Sequence, residues 1–263
     1  MPEEKSTQSV IPVSIDPAHE ADFKEMIDAG VFFGRRKSKV HPRMKPYILH
    51  NRNGIEVINL QKTRDGLQKS LDFLRDRLAK GATVLIVATQ PILADSITEL
   101  ATAFNILFVT NRWLGGTITN FSIISKRIEY LKKLKKDLAS GAFDKYTKKE
   151  RVMIEKEMRR LEELLGGVEM MTRLPDVMIV VDPTLHKAAV LEARRGHIPV
   201  IALTNVDSDP DYVDHMVLGN TNSIASVGWF LKHLRRVFET VAKTPVRSTS
   251  VDAVPVDSSA PAL

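Results

Sequence analysis

The chain has 263 residues, of which 43% are hydrophobic and 27% charged, enough for one large core or two modest ones. Its longest apolar runs span about five residues, far fewer than the roughly 18 needed to cross a bilayer. From the polar, charged residues at its start we expect neither a signal peptide nor a transit peptide. The sequence contains no Cys, which excludes disulfides and thiolate sites and suits a reducing compartment. We expect a globular cytoplasmic protein.

The net charge of +6 is concentrated in two segments. Residues 35–52 contain seven basic and no acidic residues, residues 126–160 contain thirteen basic and six acidic ones, and the rest of the chain is net acidic. Two cationic segments on an otherwise acidic protein favour polyanion binding, because neutralising phosphates releases their counterions. The alternative is that each segment is only a solvated face.

In chain order, the first predicted feature is a polar, proline-containing arm at residues 1–17, which we expect to be flexible. A helix follows at residues 21–29 and ends at Gly30, a typical C-terminal cap. Residues 35–53 contain two prolines and no regular period, which predicts an extended basic loop. A short strand is predicted after it, at residues 55–60.

A regular alternation of apolar strands and amphipathic helices then begins. The predicted strands are residues 83–88, 106–109, 177–181 and 200–203, and the predicted helices are residues 63–79, 92–104, 185–194 and 223–241. This alternation indicates βαβ units. We therefore predict a discontinuous α/β domain, residues 18–120 and 172–243, whose parallel sheet has helices on both faces. Residues 244–263 form a predicted disordered tail.

The segment between the two halves, residues 121–171, has a different pattern. Apolar residues recur there at intervals of three and four, as in a coiled coil. They are Ile124, Ile128, Leu131, Leu134 and Leu138 in the first half, and Ile154, Met158, Leu161 and Leu165 in the second. Ser140, Gly141 and Asp144 provide a turn between them. The pattern predicts an inserted antiparallel helical hairpin, a short coiled coil with lysine-rich outer faces.

The motifs give little support to catalysis. Parallel sheets often bind nucleotides at the carboxyl ends of their strands, so a nucleotide-dependent enzyme is the alternative function. However, the loop after the strand at residues 83–88 has no glycine, and no phosphate-binding motif occurs elsewhere. The acidic residues 207–214 favour a solvated turn over a metal site, and Asp182 with His186 favours a helix cap. We predict no catalytic residue, metal or cofactor.

RNA binding is the function that the basic segments favour. In residues 35–52, cations alternate with aromatic rings able to stack on unpaired bases, and lysines in the first hairpin helix are spaced to follow a phosphate ridge. The predicted RNA-binding residues are Arg35, Arg36, Lys37, Lys39, Arg43, Lys45, Tyr47, Arg52, Lys132, Lys133, Lys135 and Lys136. For the hairpin, solubilising lysines or a purely protein-binding role are the alternatives.

One ten-residue stretch carries a resemblance to a known family. Residues 111–120 read Asn-Arg-Trp-Leu-Gly-Gly-Thr-Ile-Thr-Asn, which matches the Arg-Trp-Leu-Gly-Gly-Thr-x-Thr-Asn signature of the bacterial small-subunit ribosomal protein S2 family. Further collinear matches are residues 44–48, 52–54, 60–63, 147–150, 164–167, 174–176 and 208–211. The chain resembles that family from about residue 28 to residue 234.

The resemblance implies a Rossmann-like (flavodoxin-like) body with an inserted hairpin. It also implies a structural constituent of the small ribosomal subunit that acts in translation and binds ribosomal RNA on the solvent side, between head and body. Such proteins join late in assembly and contact neighbouring ribosomal proteins, including S1, which captures messenger RNA. The signature residues are then structural: Arg112, Trp113, Leu114, Gly115, Gly116, Thr117 and Asn120. Trp113 and Leu114 would pack under the hairpin base, while the glycines allow a tight exit from the sheet.

The chain also departs from the family pattern. Phe32 and Arg35 stand where the family commonly has His, and residues 205–207, Asn-Val-Asp, replace a strand-end Asp-Thr-Asn. We therefore expect no metal between these positions. Arg35 is expected to contact phosphate instead.

Overall fold

The computed structural model describes residues 20–143 and 145–243. The arm predicted at residues 1–17 and the tail predicted at residues 244–263 lie outside these residues, as does Asp144 of the predicted turn. In the described part of the chain, no helix is both long enough and apolar enough to span a membrane.

The described residues form strands, α-helices and short 3-10 turns. The strands are β1 (Phe33–Arg36), β2 (Ile48–Arg52), β3 (Ile55–Ile58), β4 (Val84–Val87), β5 (Leu107–Val109), β6 (Val177–Val181), β7 (Val200–Thr204) and β8 (His215–Leu218). The helices are α1 (Glu20–Asp28), α2 (Leu60–Ala79), α3 (Ala94–Phe104), α4 (Phe121–Ala139), α5 (Lys148–Leu165), α6 (Lys187–Arg195) and α7 (Ile224–Lys243). The 3-10 turns are Lys37–Lys39, Pro42–Tyr47, Pro91–Leu93, Gly166–Val168 and Pro210–Tyr212.

Strands β4 to β8 form one parallel sheet in the order β5-β4-β6-β7-β8. Counted along the chain within this sheet, the order is 2-1-3-4-5, which is that of doubly wound sheets of the flavodoxin type. The sheet order reverses between β4 and β6, where Val87 pairs with Val180. The prediction of an α/β fold with a parallel sheet flanked by helices is confirmed.

Alternate side chains of each strand enter two separate apolar layers. Ile86 and Ile179 belong to one layer, which also contains residues of α1, α2, α3 and α7, whereas Leu85 and Met178 belong to the other, with residues of α4 and α6. Both faces of the sheet are therefore covered, which explains why its central strands are uninterrupted apolar runs. The carboxyl ends of the strands remain at one edge, where polar side chains gather.

The first three strands form a separate antiparallel sheet in the order β1-β3-β2. The prediction of an extended loop over residues 35–53 is therefore wrong in part. Asn53 and Gly54 both have positive φ, of 51° and 80°, and join β2 to β3 as a two-residue hairpin in which Arg52 pairs with Ile55. Asn-Gly is a strong signal for a two-residue hairpin when alternating apolar and polar residues flank it. Here the flanking residues are largely polar and charged, so that alternation is absent.

Other differences from the predicted elements have local causes. Helix α2 begins at Leu60, three residues early, because the Asn59 side chain accepts hydrogen bonds from the backbone N–H groups of Gln61 and Lys62. Strand β8 was not predicted, since only four residues follow the acidic segment before the chain turns again. It pairs with β7 and receives the packing of α2 on its other side.

Helices α4 and α5 occupy the segment between β5 and β6. Ile124, Ile128, Leu131 and Leu134 of α4 are buried, whereas Leu138 is 43% exposed. On α5, Leu165 is buried, and the other predicted seam positions, Ile154, Met158 and Leu161, are half-buried. The Lys135 ammonium of α4 joins the Glu162 carboxylate of α5 at 2.9 Å. The two helices contact each other, and their arrangement as an inserted antiparallel coiled coil stays a prediction.

Candidate nucleic-acid interface

The small antiparallel sheet and its flanking turns carry a group of exposed cations. They are Arg36, Lys37, Lys39, Lys45 and Arg52. Within residues 20–143 and 145–243, none of their side chains forms a hydrogen bond or an ion pair. These five charges are therefore available to an anionic partner. They stand on strands and short turns of the small sheet region.

Tyr47 lies among these cations but is not fully open. Its ring is half-buried, and the Lys62 ammonium stands 5.0 Å from the ring centroid. Lys62 also donates to the Pro46 carbonyl at 2.6 Å. One face of the Tyr47 ring therefore has a cation over it, and the side chain also packs against the apolar cluster that contains Met44 and Ile58. Stacking of Tyr47 on an RNA base stays a prediction.

Arg35 points away from this surface. Its guanidinium donates from Nε to Asp207 Oδ2 at 3.1 Å and from Nη2 to Asp182 Oδ2 at 3.2 Å. Nη2 also donates to the Thr221 hydroxyl at 3.0 Å, and that hydroxyl donates to Asp182. The Arg35 side chain is only 18% exposed. The structure thus gives this predicted phosphate ligand two internal carboxylate partners.

The acidic loop, residues 205–214, lies beside the basic segment rather than apart from it. The Arg43 guanidinium is paired with Asp211 and stands 3.6 Å from Asp209, while His41 Nε2 is 4.0 Å from Asp209. The His41 backbone N–H donates to the Val206 carbonyl at 2.9 Å. The interpretation of this loop as a solvated turn was incomplete, because its carboxylates serve as counter-ions for the basic segment.

The predicted lysines of α4 fall into two groups. Lys132, Lys133 and Lys136 are exposed on the side away from the buried apolar positions. Lys135 instead joins Glu169 at 2.7 Å and Glu162 at 2.9 Å. Partial burial disfavours the charged form of Lys135, but the hydrogen bonds to the two carboxylates outweigh this effect and raise the pKa of Lys135. Lys135 therefore links α4 to α5 and to the segment that follows α5.

Helix α5 carries further exposed cations that were not among the predicted RNA-binding residues. Its exposed basic residues include Lys148, Lys149, Lys156, Arg159 and Arg160. The helix starts with a capping box in which the Thr147 hydroxyl accepts from the Glu150 N–H, and the Glu150 carboxylate accepts from the Thr147 N–H. These cations recur along the helix face opposite the half-buried positions, a helical-wheel signal that was present in the sequence.

The signature loop, residues 111–120, is built around a carboxylate from α6. Glu192 is 8% exposed and accepts hydrogen bonds from the Trp113 indole at 3.0 Å and from the Gly116 N–H at 2.9 Å. It also accepts from the N–H groups of Ile118 and Thr119 and from the Thr119 hydroxyl. Burial disfavours the charged form, but these donors outweigh it and lower the pKa of Glu192.

The other signature residues lie around this carboxylate. Trp113 and Leu114 are half-buried and pack against the apolar layer that contains Ile124 and Ile128 of α4. The Thr117 hydroxyl donates to the Leu114 carbonyl at 2.6 Å. Arg112, Gly115 and Asn120 are exposed. The loop thus links β5 to the start of α4, and α6 holds it through Glu192.

The crevice where the sheet order reverses is occupied by a histidine. The Thr89 backbone N–H, after β4, donates to His186 Nε2 at 3.0 Å, while His186 Nδ1 donates to the Asp182 carbonyl at 2.9 Å. Burial lowers the pKa of His186 and keeps the ring neutral. Asp182 Oδ1 accepts from the N–H groups of Thr184 and Leu185, as a cap does. The Thr89 N–H is therefore already hydrogen-bonded within the protein.

The sequence of this chain matches a family of known proteins. The family model of ribosomal protein S2 matches residues 26–240. The chain belongs to the ribosomal protein S2 family. This is a structural family of the small ribosomal subunit and not an enzyme family, so the resemblance read from the signature loop is confirmed.

The S2 match includes every part of the surface described above. It spans the basic segment, the signature loop, helices α4 and α5, and the acidic loop. For this S2 family member, the sequence identified the signature and the exposed cations of residues 36–52 and of α4. It missed the exposed cations of α5, the role of Glu192, and the pairing of the acidic loop with Arg35 and Arg43. A signal for Glu192 did exist, because it is a carboxylate placed among Ala189, Val190 and Ala193 on the buried face of α6.

Proposed function

We propose that this chain binds small-subunit ribosomal RNA, chiefly through the exposed cations of residues 36–52. The observation that carries the proposal is the group formed by Arg36, Lys37, Lys39, Lys45 and Arg52, which are exposed and have no partner within the described residues. Phosphate contacts of this kind fix position and supply affinity without reading sequence. Membership of the S2 family supports RNA as the polyanion.

Helices α4 and α5 provide the second part of the proposed surface. We infer that residues 121–171 form an antiparallel coiled-coil hairpin inserted into the α/β body of residues 18–120 and 172–243. The exposed Lys132, Lys133 and Lys136 of α4, together with the outer cations of α5, suit RNA phosphates. Exposed apolar side chains on the same helices, such as Tyr130 and Met153, suit neighbouring ribosomal proteins.

The resemblance to bacterial S2 proteins extends the proposal to a place in the subunit. The chain would lie on the solvent side between head and body, join late in assembly, and support docking of ribosomal protein S1 and messenger RNA. Its site of action would be ribosomes of the bacterial cytoplasm. Sucrose-gradient sedimentation of a tagged copy tests this, because comigration with small subunits that weakens as salt rises is the expected result.

The RNA surface is tested by removing three of its charges. In the variant R36A/K37A/K39A, each lost phosphate contact should reduce the slope of log K against log salt by roughly 0.7 to 0.9. Binding is measured by filter retention of in vitro transcribed small-subunit ribosomal RNA, from about 50 to 300 mM salt.

A matched control keeps the same change in net charge. Lys24, Lys69 and Lys243 are also exposed and have no partner in the described chain, and K24A/K69A/K243A should retain most of the salt slope. Equal losses of slope in the two triple variants would mean that RNA binding follows net charge and not the basic segment.

A further inference from the structure

Arg35 stands at the junction of the two sheets. It lies in β1 of the antiparallel sheet, whereas Asp182 follows β6 and Asp207 follows β7 at the carboxyl edge of the parallel sheet. Strands β6 and β7 are neighbours in which Val181 pairs with Leu203. The two carboxylates therefore come to one place, and their side chains are only 7% and 17% exposed.

Two largely buried carboxylates need a cation, and among the described residues it is Arg35 that provides it. A guanidinium stays charged at all ordinary pH values and donates several hydrogen bonds in a fixed plane. Here it donates to Asp182, Asp207 and Thr221. Breaking such a pair leaves an uncompensated buried charge. The two carboxylates therefore hold the Arg35 side chain in place, and Arg35 neutralises their charge.

The neighbouring residue points the other way. Side chains alternate along a strand, and Arg36 is exposed and unpaired within the described residues whereas Arg35 is turned inward. Further along the segment, the His41 N–H donates to the Val206 carbonyl, and Arg43 pairs with Asp209 and Asp211. The basic segment is thus fastened to the acidic loop at several points, of which the Arg35 cluster is the least exposed.

We propose that Arg35 is a positioning residue: through Asp182 and Asp207 it fixes the basic segment to the sheet edge, so that Arg36, Lys37 and Lys39 face the RNA. This inference rests on the proposed function, and it corrects the expectation that Arg35 itself contacts phosphate. A cation that already has two carboxylate partners contributes no counterion release when RNA binds. Instead, Arg35 keeps the segment ordered before RNA binds, so that less conformational entropy is lost on binding.

Salt dependence separates a positioning residue from a phosphate ligand. We expect R35M to weaken binding of the ribosomal RNA transcript by about tenfold at fixed salt while the salt slope stays as in the parent protein. We expect R36M to reduce the slope by roughly 0.7 to 0.9. A loss of slope in R35M equal to that in R36M would overturn the proposal, as would unchanged affinity in R35M.

A second variant separates positioning from stability alone. In R35M/D182N/D207N the buried charges are gone, so the fold should be recovered. The amide introduced at position 182 keeps an Oδ1 for the Thr184 and Leu185 N–H groups, and asparagine tolerates the φ of 63° found at Asp182. RNA affinity should remain about tenfold low because the link between the sheets is missing. Parental affinity in this triple variant would show that Arg35 only neutralises charge.

Hydrogen exchange measures the anchoring without RNA. In the triple variant, whose fold should be recovered, the amide of His41 and its neighbours in residues 37–45 should exchange about tenfold faster than in the parent protein, while the amides of β6 keep their protection. Parental exchange in residues 37–45 would overturn the anchoring role. If R36M and the parent protein bind RNA equally, the proposed function fails, and the exchange result still decides the role of Arg35.

Discussion

Two regions of this protein are each held by a largely buried charge, and the two charges are of opposite sign. The signature loop is held by the Glu192 carboxylate of α6, and the basic segment is held through the Arg35 guanidinium of β1. Glu192 accepts from neutral donors, namely an indole, backbone N–H groups and a hydroxyl, and no cation pairs with it in the described chain. Arg35 donates to two carboxylates.

The two attachments should differ in how strongly they respond to the loss of their central charge. If Glu192 is lost, the groups left behind are neutral donors, some of which can turn to water. If Arg35 is lost, two carboxylates with little solvent access lose their shared cation, and Asp207 Oδ1 already has no partner within the described residues. Because desolvated charges are more costly to leave unpaired than desolvated N–H groups, the Arg35 attachment should respond more strongly to mutation.

The largest expected effect is on the stability of R35M. Leaving Asp182 and Asp207 uncompensated should lower the free energy of unfolding by about 3 to 5 kcal/mol. Urea unfolding followed by circular dichroism measures the change. The control is R36M, which removes the same charge from an exposed, unpaired position and should alter stability by no more than about 0.5 kcal/mol. Equal effects would mean that the buried ion pairs contribute nothing.

The next effect is that of E192Q. An amide keeps the shape of the carboxylate but turns an NH₂ group toward N–H donors on one side, so at least two donors lose their acceptor. We expect a loss of about 2 to 3 kcal/mol in the free energy of unfolding, with faster hydrogen exchange in residues 116–119. The matched control is E239Q on the exposed face of α7. A larger loss in E192Q than in R35M would reverse the comparison between the two attachments.

How far the sequence predicted these regions depends on the range of the interactions that define them. Strand β6 was predicted with its observed bounds, Val177–Val181, because five consecutive apolar residues buried on both faces are a local signal. The small sheet was missed because Phe33–Arg36 and Ile48–Arg52 gain their strand character only by pairing with β3. Neither strand shows a regular alternation of apolar and polar residues that would mark it locally.

The candidate site divides in the same way. The clustering of cations in residues 35–52 is a property of composition, so the sequence revealed it directly. Which cations are free is a property of contacts between residues far apart in the chain: Arg35 meets Asp182 and Thr221, 147 and 186 positions away. A single sequence holds no record of such pairs, and arginines that bind phosphate and arginines that bind carboxylate look alike in it.

Acid should weaken the attachment that depends on Glu192. The hydrogen bonds to Glu192 hold its pKa below the ordinary value of 4.5, so the stability it provides is complete above that value and is lost as pH falls through the folded-state pKa. The difference in unfolding free energy between the parent protein and E192Q should stay constant from about pH 7 to 5.5 and shrink below about pH 4.5. Urea titrations of both proteins at each pH measure it.

The smallest effects separate the two glycines of the signature loop. Gly116 has a φ of +89° and donates its N–H to Glu192, and an added Cβ would stand 3.3 Å from the Cβ of Asn120. Gly115 lacks a positive φ, and no described atom lies within 4 Å of a Cβ added there. G116A should therefore lower the free energy of unfolding by about 1 to 2 kcal/mol, and G115A should change it by less than about 0.5 kcal/mol. Equal losses of unfolding free energy in G115A and G116A would contradict this explanation. They would mean that the positive φ of Gly116, which directs its N–H toward Glu192, is not what the loop requires.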